Sequence, residues 1–227
     1  ADDQRHRRRL VEQHHRAAMV LGQVAIGDPV LVHPGVYLLH GQVVVDGLVE
    51  IHSDAVIAPS ALVRDQLRAR GVTVPVAVIP TGVDLARFRP GPRDVARRAL
   101  GLPPGDPIVL YVGRLDREKS VDRVLLAFDR LAGTLDRAQL WLVGQGKETA
   151  ALRRLAATLV SGDRIHFAGV CAHAELPAWY QAADLFLFAS ETETQGLVLA
   201  EAAACGLPAV TVAAAGCDEV VRDGETG

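Results

Sequence analysis

The chain has little of what would mark it for several large classes of protein. Its three cysteines, Cys171, Cys205 and Cys217, are odd in number and far apart, so sequence spacing supplies neither a disulfide framework nor a paired thiolate site for zinc or redox chemistry. No apolar run approaches the roughly 20 residues that span a bilayer, and no apolar signal core stands behind the charged start. A net charge of -3 leaves no whole-chain basic footprint, which argues against duplex nucleic acid as a partner. These absences together lead to the expectation of a reducing, cytoplasmic setting. The sequence also lacks a fixed-period repeat and any low-complexity tract. It begins at Ala1 without an initiating Met and closes on the turn-like Asp223-Gly-Glu-Thr-Gly227, so a piece truncated at both ends is expected.

What is present is enough for a folded core, since 49% of the 227 residues are hydrophobic. From about residue 54 short β-branched runs alternate with longer amphipathic stretches, the pattern of repeated βα units on a parallel sheet. Strands are expected at 54–58, 76–79, 108–112, 139–143, 164–167, 185–188 and 209–212. Helices are expected between them, over 61–70, 120–132, 148–160, 175–183 and 197–205. Ser60 and Ser120 stand as openers of their helices, and Gly71 and Gly133 as stops. The Pro- and Arg-rich stretch from Arg87 to Arg93 reads as a domain junction. The expected organisation is therefore a partial N-terminal domain over 1–85, a linker and lead-in helix over 86–105, and a main α/β domain over 106–227. That main domain is expected to be a Rossmann-like, doubly wound parallel sheet with ligands at the carboxyl ends of its strands.

The chemistry-bearing residues gather just after those strands. Arg114 offers a planar fork of donors and Lys119 a mobile point charge, a pair suited to two phosphate groups. The competing reading is a set of salt bridges from this pair to Asp116 and Glu118. Gly144-Gln-Gly146 is too short for a dinucleotide fingerprint and reads as a tight turn, which disfavours a Rossmann-type dehydrogenase. Most informative is Ser190-Glu-Thr-Glu-Thr-Gln-Gly-Leu-Val-Leu-Ala-Glu201, where Glu193 and Glu201 stand seven residues apart around a helix that starts at Gly196. A helix start without Cβ lets backbone N–H groups approach a diphosphate, and carboxylates on either side suit the hydroxyls of a polyol.

This segment, continued through Ala-Ala-Ala-Cys-Gly-Leu-Pro208, resembles the Glu-x7-Glu signature of the retaining glycosyltransferases of family 4, which have the GT-B fold. Val112-Gly-Arg-Leu-Asp-Arg-Glu-Lys119 resembles the phosphate-binding turn of that family. Val78 to Phe88, Leu142 to Gly146 and Cys217 to Gly227 match further family stretches in order, so the resemblance runs from about Ser53 to Gly227. It implies a C-terminal donor-binding domain. Arg114 and Lys119 would bind the donor diphosphate with backbone amides around Gly113, Gly196, Leu197 and Val198, and Gln195 would lie beside them. Glu193 would contact the transferred sugar, Glu201 the ribose hydroxyls, and backbone near Val170 the base. With Glu193, Arg114 and Lys119 as the catalytic group, the implied activity is transfer of a hexose from a nucleotide-diphosphate sugar to an acceptor hydroxyl of a lipid, glycan or small molecule, with retention. No metal and no cofactor beyond the donor are implied, and glucose or mannose on UDP or GDP is the expected donor. A non-catalytic nucleotide-sugar-binding or scaffolding module of the same fold is the alternative.

The front of the chain departs from the family, because its first strand and Gly-rich loop are missing and residues 1–52 are too few for the acceptor domain. His33, after the strand-like Val30-Leu-Val32, and Asp84 are the candidates on the acceptor side, with a structural histidine as the competing reading at His33. Residues 2–21 read as a helix with a basic face of Arg5, Arg7, Arg8, Arg9 and Arg16. That face suits either solvent or an anionic membrane surface; the apolar side is mostly Ala, which favours solvent.

Overall fold

The computed structural model describes residues 37–38, 56–69, 71–73, 75–214 and 216–227. The expected helix over 2–21, the strand at 30–32 and His33 lie outside the described residues. Two compact units divide the chain, one up to Pro80 and one from Thr81.

In the first unit three parallel strands, β1 (Tyr37–Leu38), β2 (Val56–Ala58) and β3 (Val76–Val78), pair in the order β1-β2-β3. Helix α1 (Ala61–Ala69) buries Val63 and Leu67, which the helical period puts on one face, beside Ala58. Ser60 caps it as expected, its Oγ accepting the Val63 N–H at 3.3 Å. Gly71 ends it with φ of 91°, and the N–H of Val72 returns to the Leu67 carbonyl.

The second unit carries a five-stranded parallel sheet in the order β6-β5-β4-β7-β8. Its strands are β4 (Ile108–Val112), β5 (Gln139–Val143), β6 (Ile165–Gly169), β7 (Leu185–Phe188) and β8 (Ala209–Thr211). All five residues of β4 are buried, as a central strand covered on both faces requires. Helix α2 (Arg93–Leu100) precedes the sheet, and α3 (Val121–Ala132), α4 (Thr149–Ala156), α5 (Leu176–Ala182) and α6 (Leu197–Ala204) connect its strands. The apolar face of α3 buries Val121, Val124, Leu125, Phe128 and Ala132. This is the expected doubly wound, Rossmann-like arrangement. The chain builds outward from β4 to β6 and then returns to place β7 on the other side of β4, which opens a crevice at the carboxyl ends of β4 and β7.

The strand expected over 164–167 runs from Ile165 to Gly169, and one expected helix is shorter. The helix expected over 148–160 stops at Ala156, because Asp129 on α3 captures the chain downstream: its Oδ1 accepts the Ser161 N–H at 2.9 Å and hydroxyl at 2.8 Å. The stretch expected as linker and lead-in helix, 86–105, packs into the second unit, with Phe88, Ala96 and Leu102 in its core.

Arg97 fixes that packing from a nearly buried position. It donates to the carbonyls of Ala182 at 2.9 Å and Pro104 at 2.9 Å and to Asp184 Oδ2 at 2.6 Å. The same Asp184 oxygen accepts the N–H of Ile108 at 2.8 Å, so one ion pair ties α2 to the starts of β4 and β7. Removing one partner strands a buried charge. Asp184→Ala is therefore expected to lower the unfolding free energy by about 3 kcal/mol, read from the urea midpoint of the second unit. A loss below about 0.5 kcal/mol, the size of an ordinary surface change, would contradict this account.

Candidate functional site

The site is assembled from the loops that leave the carboxyl ends of β4, β6 and β7. After β4 the chain runs through Gly113 and Arg114 to a 3₁₀ turn over Arg117–Lys119. Tyr111 holds the loop from below, its hydroxyl donating to the Arg114 carbonyl at 2.9 Å. Burial first, and then the Glu193 charge, raises the pKa of Tyr111, so it stays a phenol and a donor. Gly144 locks the next loop against this one: a Cβ there would lie 1.9 Å from the Gly113 carbonyl oxygen, and the Leu115 N–H donates to the Gln145 carbonyl at 3.1 Å. The tight turn expected at Gly144-Gln-Gly146 begins only at its end, where the Thr149 N–H donates to the Gly146 carbonyl at 3.2 Å; residues 144–146 are an irregular segment packed along the β4 loop.

Arg114 points its two terminal nitrogens at Asp116 Oδ2 and Glu118 Oε1, each at 2.6 Å, with its side chain 63% exposed. The ion-paired arrangement weighed as the competing reading is the one observed for this arginine. Lys119 differs. Its Nζ reaches across the crevice to Glu193 Oε1 at 2.5 Å, with 18% of the lysine and 13% of the glutamate side chain exposed. The β7 loop is braced beside it, the hydroxyls of Ser190 and Thr192 donating to the Glu118 carbonyl at 3.4 and 3.2 Å. Arg123 pairs with Glu191 on the outer side. Lys119 and Glu193 are 74 residues apart in sequence, and the pairing of β4 with β7 brings them together.

Gly196 begins α6 at φ of 62°, and a Cβ there would lie 2.9 Å from the Gly216 carbonyl oxygen. A side chain is excluded twice, by the backbone conformation and by the neighbour. Leu197 and Val198 follow as the first helical residues, whose N–H groups have no intrahelical acceptor. Gln195 is turned away from this start, its Nε2 donating to the Thr81 carbonyl at 3.0 Å.

Glu201, one turn further along α6, is 4% exposed. Its Oε2 accepts the Tyr180 hydroxyl at 2.9 Å, and its Oε1 lies 3.0 Å from His173 Nε2. Burial, and then the charge of Glu201, raises the pKa of Tyr180, which keeps that hydroxyl protonated. Val170, in the same β6 loop as His173, is 63% exposed. Asp84 is a turn cap, its Oδ1 accepting the N–H groups of Ala86 at 3.0 Å and Arg87 at 3.3 Å. A separate cleft of about 460 Å³ lies between the 3₁₀ turn, α3 and α4, lined by Asp116, Arg117, Val121, Glu148 and Leu152, and it includes neither Glu193 nor Glu201.

The structure therefore brings together Lys119, Glu193 and the start of α6, with Arg114 at the rim and Glu201 recessed. His173 and Tyr180 were missed by sequence reasoning. Tyr180 sat in a stretch read only as amphipathic helix, 21 residues from its partner, and no local spacing points to it. The one available signal for His173 was its place three residues after Val170, in a loop already singled out.

Ser120 follows Lys119 at φ of 49°, the one non-glycine residue in the left-handed region among the described residues, and its side chain does not cap α3. Ser120 thus opens α3 as expected, through its left-handed backbone rather than through a side-chain cap. Ser120→Val is expected to cost about 1–2 kcal/mol, while Ser120→Gly changes stability by no more than about 0.5 kcal/mol. Thermal unfolding of the two variants tests the asymmetry, and equal losses would refute it.

Comparison with known proteins gives this geometry a context. Residues 92–227 match the family described as Glycosyl transferases group 1. The chain is 36% identical to D-inositol 3-phosphate glycosyltransferase 1 of Catenulispora acidiphila, over 96% of the chain and 53% of that protein. It is 38% identical to alpha-monoglucosyldiacylglycerol synthase of Streptococcus pneumoniae, over 69% of the chain and 37% of that protein. Among solved structures, Anabaena Alr3699/HepE in complex with UDP-glucose is similar with a TM-score of 0.68 and 26% identity, over 76% of this chain and 48% of that one. The chain spans about half or less of the length of these relatives.

Proposed function

Because the chain belongs to the group 1 glycosyl transferases, we propose that its second unit binds a nucleotide-diphosphate sugar, and that the protein transfers the hexose to an acceptor hydroxyl with retention. The observation that carries this reading is the Lys119–Glu193 pair, held at the crevice between β4 and β7 beside the start of α6. In this reading Lys119, the N–H groups of Leu197 and Val198, and Arg114 receive the diphosphate, and Glu193 receives the sugar. Glu201 faces the ribose, and the exposed backbone near Val170 faces the base.

The chemistry follows from charge. Cleavage of the bond between sugar and phosphate develops negative charge on the β-phosphate, and fixed donors aimed there lower the barrier. Retention is supported by the resemblance to family 4, with attack from the leaving-group face and the departing phosphate taking the acceptor's proton. The two curated relatives carry names that specify an inositol phosphate and a glucosyl lipid. An acceptor presenting a hydroxyl next to a polar headgroup, a polyol or a glycolipid, fits both. No helix among the described residues is long and apolar enough to cross a membrane. A peripheral contact with a lipid surface is part of the proposal only for a lipid acceptor.

Isothermal titration with UDP and GDP tests donor binding. One of the two is expected to bind, and Lys119→Ala is expected to weaken it about 10- to 100-fold, the range for a hydrogen bond to a charged group. No binding of either nucleotide, or an unchanged affinity in Lys119→Ala, would sink the reading. Glu193→Gln separates the roles further. It frees Lys119, so the bare nucleoside diphosphate should bind at least as tightly as to the parent chain, while transfer from the nucleotide sugar by the whole protein falls about 100-fold. A non-catalytic module would instead bind the nucleotide and release no sugar from it in either form.

A further inference from the structure

The second carboxylate of the site does not stand alone. Glu201 is almost fully buried, and its two oxygens are held from opposite sides, Oε2 by the Tyr180 hydroxyl at 2.9 Å and Oε1 by His173 Nε2 at 3.0 Å. A buried carboxylate needs donors on both oxygens. Tyr180 is itself buried and fixed in the core, whereas the His173 side chain is 58% exposed and stands at the mouth of the β6 loop.

The tautomer of His173 follows from its other neighbour. Arg87 Nη1 lies 3.5 Å from His173 Nδ1. A guanidinium only donates, so Nδ1 faces it as an acceptor, and Nε2 carries the hydrogen directed at Glu201. The ring plane is set by Phe88, whose centroid is 5.2 Å away at an angle of 60°. Phe88 and Arg87 are placed in turn by Asp84, whose carbonyl accepts the Phe88 N–H at 2.8 Å and whose side chain caps the turn. A short relay therefore runs from the Asp84 turn through Arg87, Phe88 and His173 to Glu201.

We propose that His173 is a positioning residue for the donor site: by donating to Glu201 Oε1 it orients the carboxylate so that its remaining lone pairs accept the ribose hydroxyls of the nucleotide. This rests on the reading of Glu201 as the ribose-facing group. Each carboxylate oxygen has a second acceptor site. With both first sites occupied by His173 and Tyr180, the free pair has one direction, which matches a vicinal diol better than a carboxylate free to rotate. Loss of His173 leaves Oε1 without its donor and releases that rotation. The effect is confined to the hydroxyls Glu201 binds, because His173 touches the carboxylate and not the diphosphate donors.

The test compares a nucleoside diphosphate with its 2′,3′-dideoxy counterpart by isothermal titration on the whole chain. The tighter binder of UDP and GDP serves as the probe, with circular dichroism confirming that each variant is folded. The parent chain is expected to prefer the ribonucleotide about tenfold or more. His173→Ala is expected to reduce that preference about three- to tenfold and leave the dideoxy affinity unchanged, and His173→Gln, which retains a donor, is expected to restore most of it. If His173→Ala weakens both nucleotides equally, or leaves the preference intact, the positioning role is wrong. Glu201→Gln distinguishes the deeper failure. If it leaves the ribose preference untouched while Lys119→Ala still weakens binding, the assignment of Glu201 to the ribose is overturned and the role of His173 goes with it. If neither nucleotide binds, the donor site itself is refuted.

Discussion

The parallel pairing of β4 with β7 is the constraint on which the rest depends. Val109 stands beside Leu185 and Leu110 beside Phe186, so both strands end on the same side of the sheet and their loops emerge as neighbours. Strands joined in parallel need a long crossover between them, and here the chain spends 72 residues on β5, β6 and their helices between Val112 and Leu185. Lys119 and Glu193 meet only because that excursion closes at β4. The Arg97–Asp184 pair acts on the same junction from the opposite end, since Asp184 accepts the first N–H of β4 and immediately precedes β7. Registry at the base of the two strands and charge pairing at their tips are consequences of one strand order.

Seen from the sequence, the sheet was largely legible because its signal is local. The run Ile108-Val-Leu-Tyr-Val112 is apolar throughout since β4 is covered on both faces, and the spans of β5, β7 and α3 follow from periodicity within a residue or so. Lys119 and Glu193 were legible for a different reason, because they stand in loops that a parallel sheet must present on one side, and Glu201, inside α6, was legible through its seven-residue spacing from Glu193. What escaped was set by contacts between distant elements. The helix α4 ends where Asp129 of α3 captures Ser161, and nothing near Ala156 announces it. Arg97 reads as one of many arginines in a junction until the structure buries it. His173 meets Glu201 only through the packing of the β6 loop against α6, and Asp84, named from the sequence as an acceptor-side candidate, is a turn cap here.

The electrostatics of the crevice show why sequence and structure gave different emphases to Arg114 and Lys119. Both are cations in one short loop, yet Arg114 is exposed and already bound by Asp116 and Glu118 of its own loop, while Lys119 is largely withdrawn from solvent and pairs across the crevice. Exposed pairs are screened and contribute little, typically about 0–1 kcal/mol. A pair with both partners mostly desolvated is more tightly coupled, and separating it without replacement is costly. The cross-crevice pair therefore couples the β4 and β7 loops more firmly than Arg114 does, even though the arginine has the larger number of donors.

That coupling bears on selectivity between a nucleotide sugar and the bare nucleoside diphosphate. On the proposed reading, an incoming phosphate oxygen takes the place of Glu193 on Lys119, an exchange of one anion for another that costs the lysine little. Glu193 then loses its partner in a position that is 13% exposed, and an unpaired, mostly buried carboxylate is unfavourable. A sugar supplies hydroxyl donors at that point and a bare diphosphate does not. In that reading the ion pair disfavours the product relative to the donor, since after transfer the sugar is gone and Glu193 competes again for Lys119. On the proposed reading, binding energy is withheld from the leaving nucleotide and granted to the intact donor, which is the direction a turnover cycle requires.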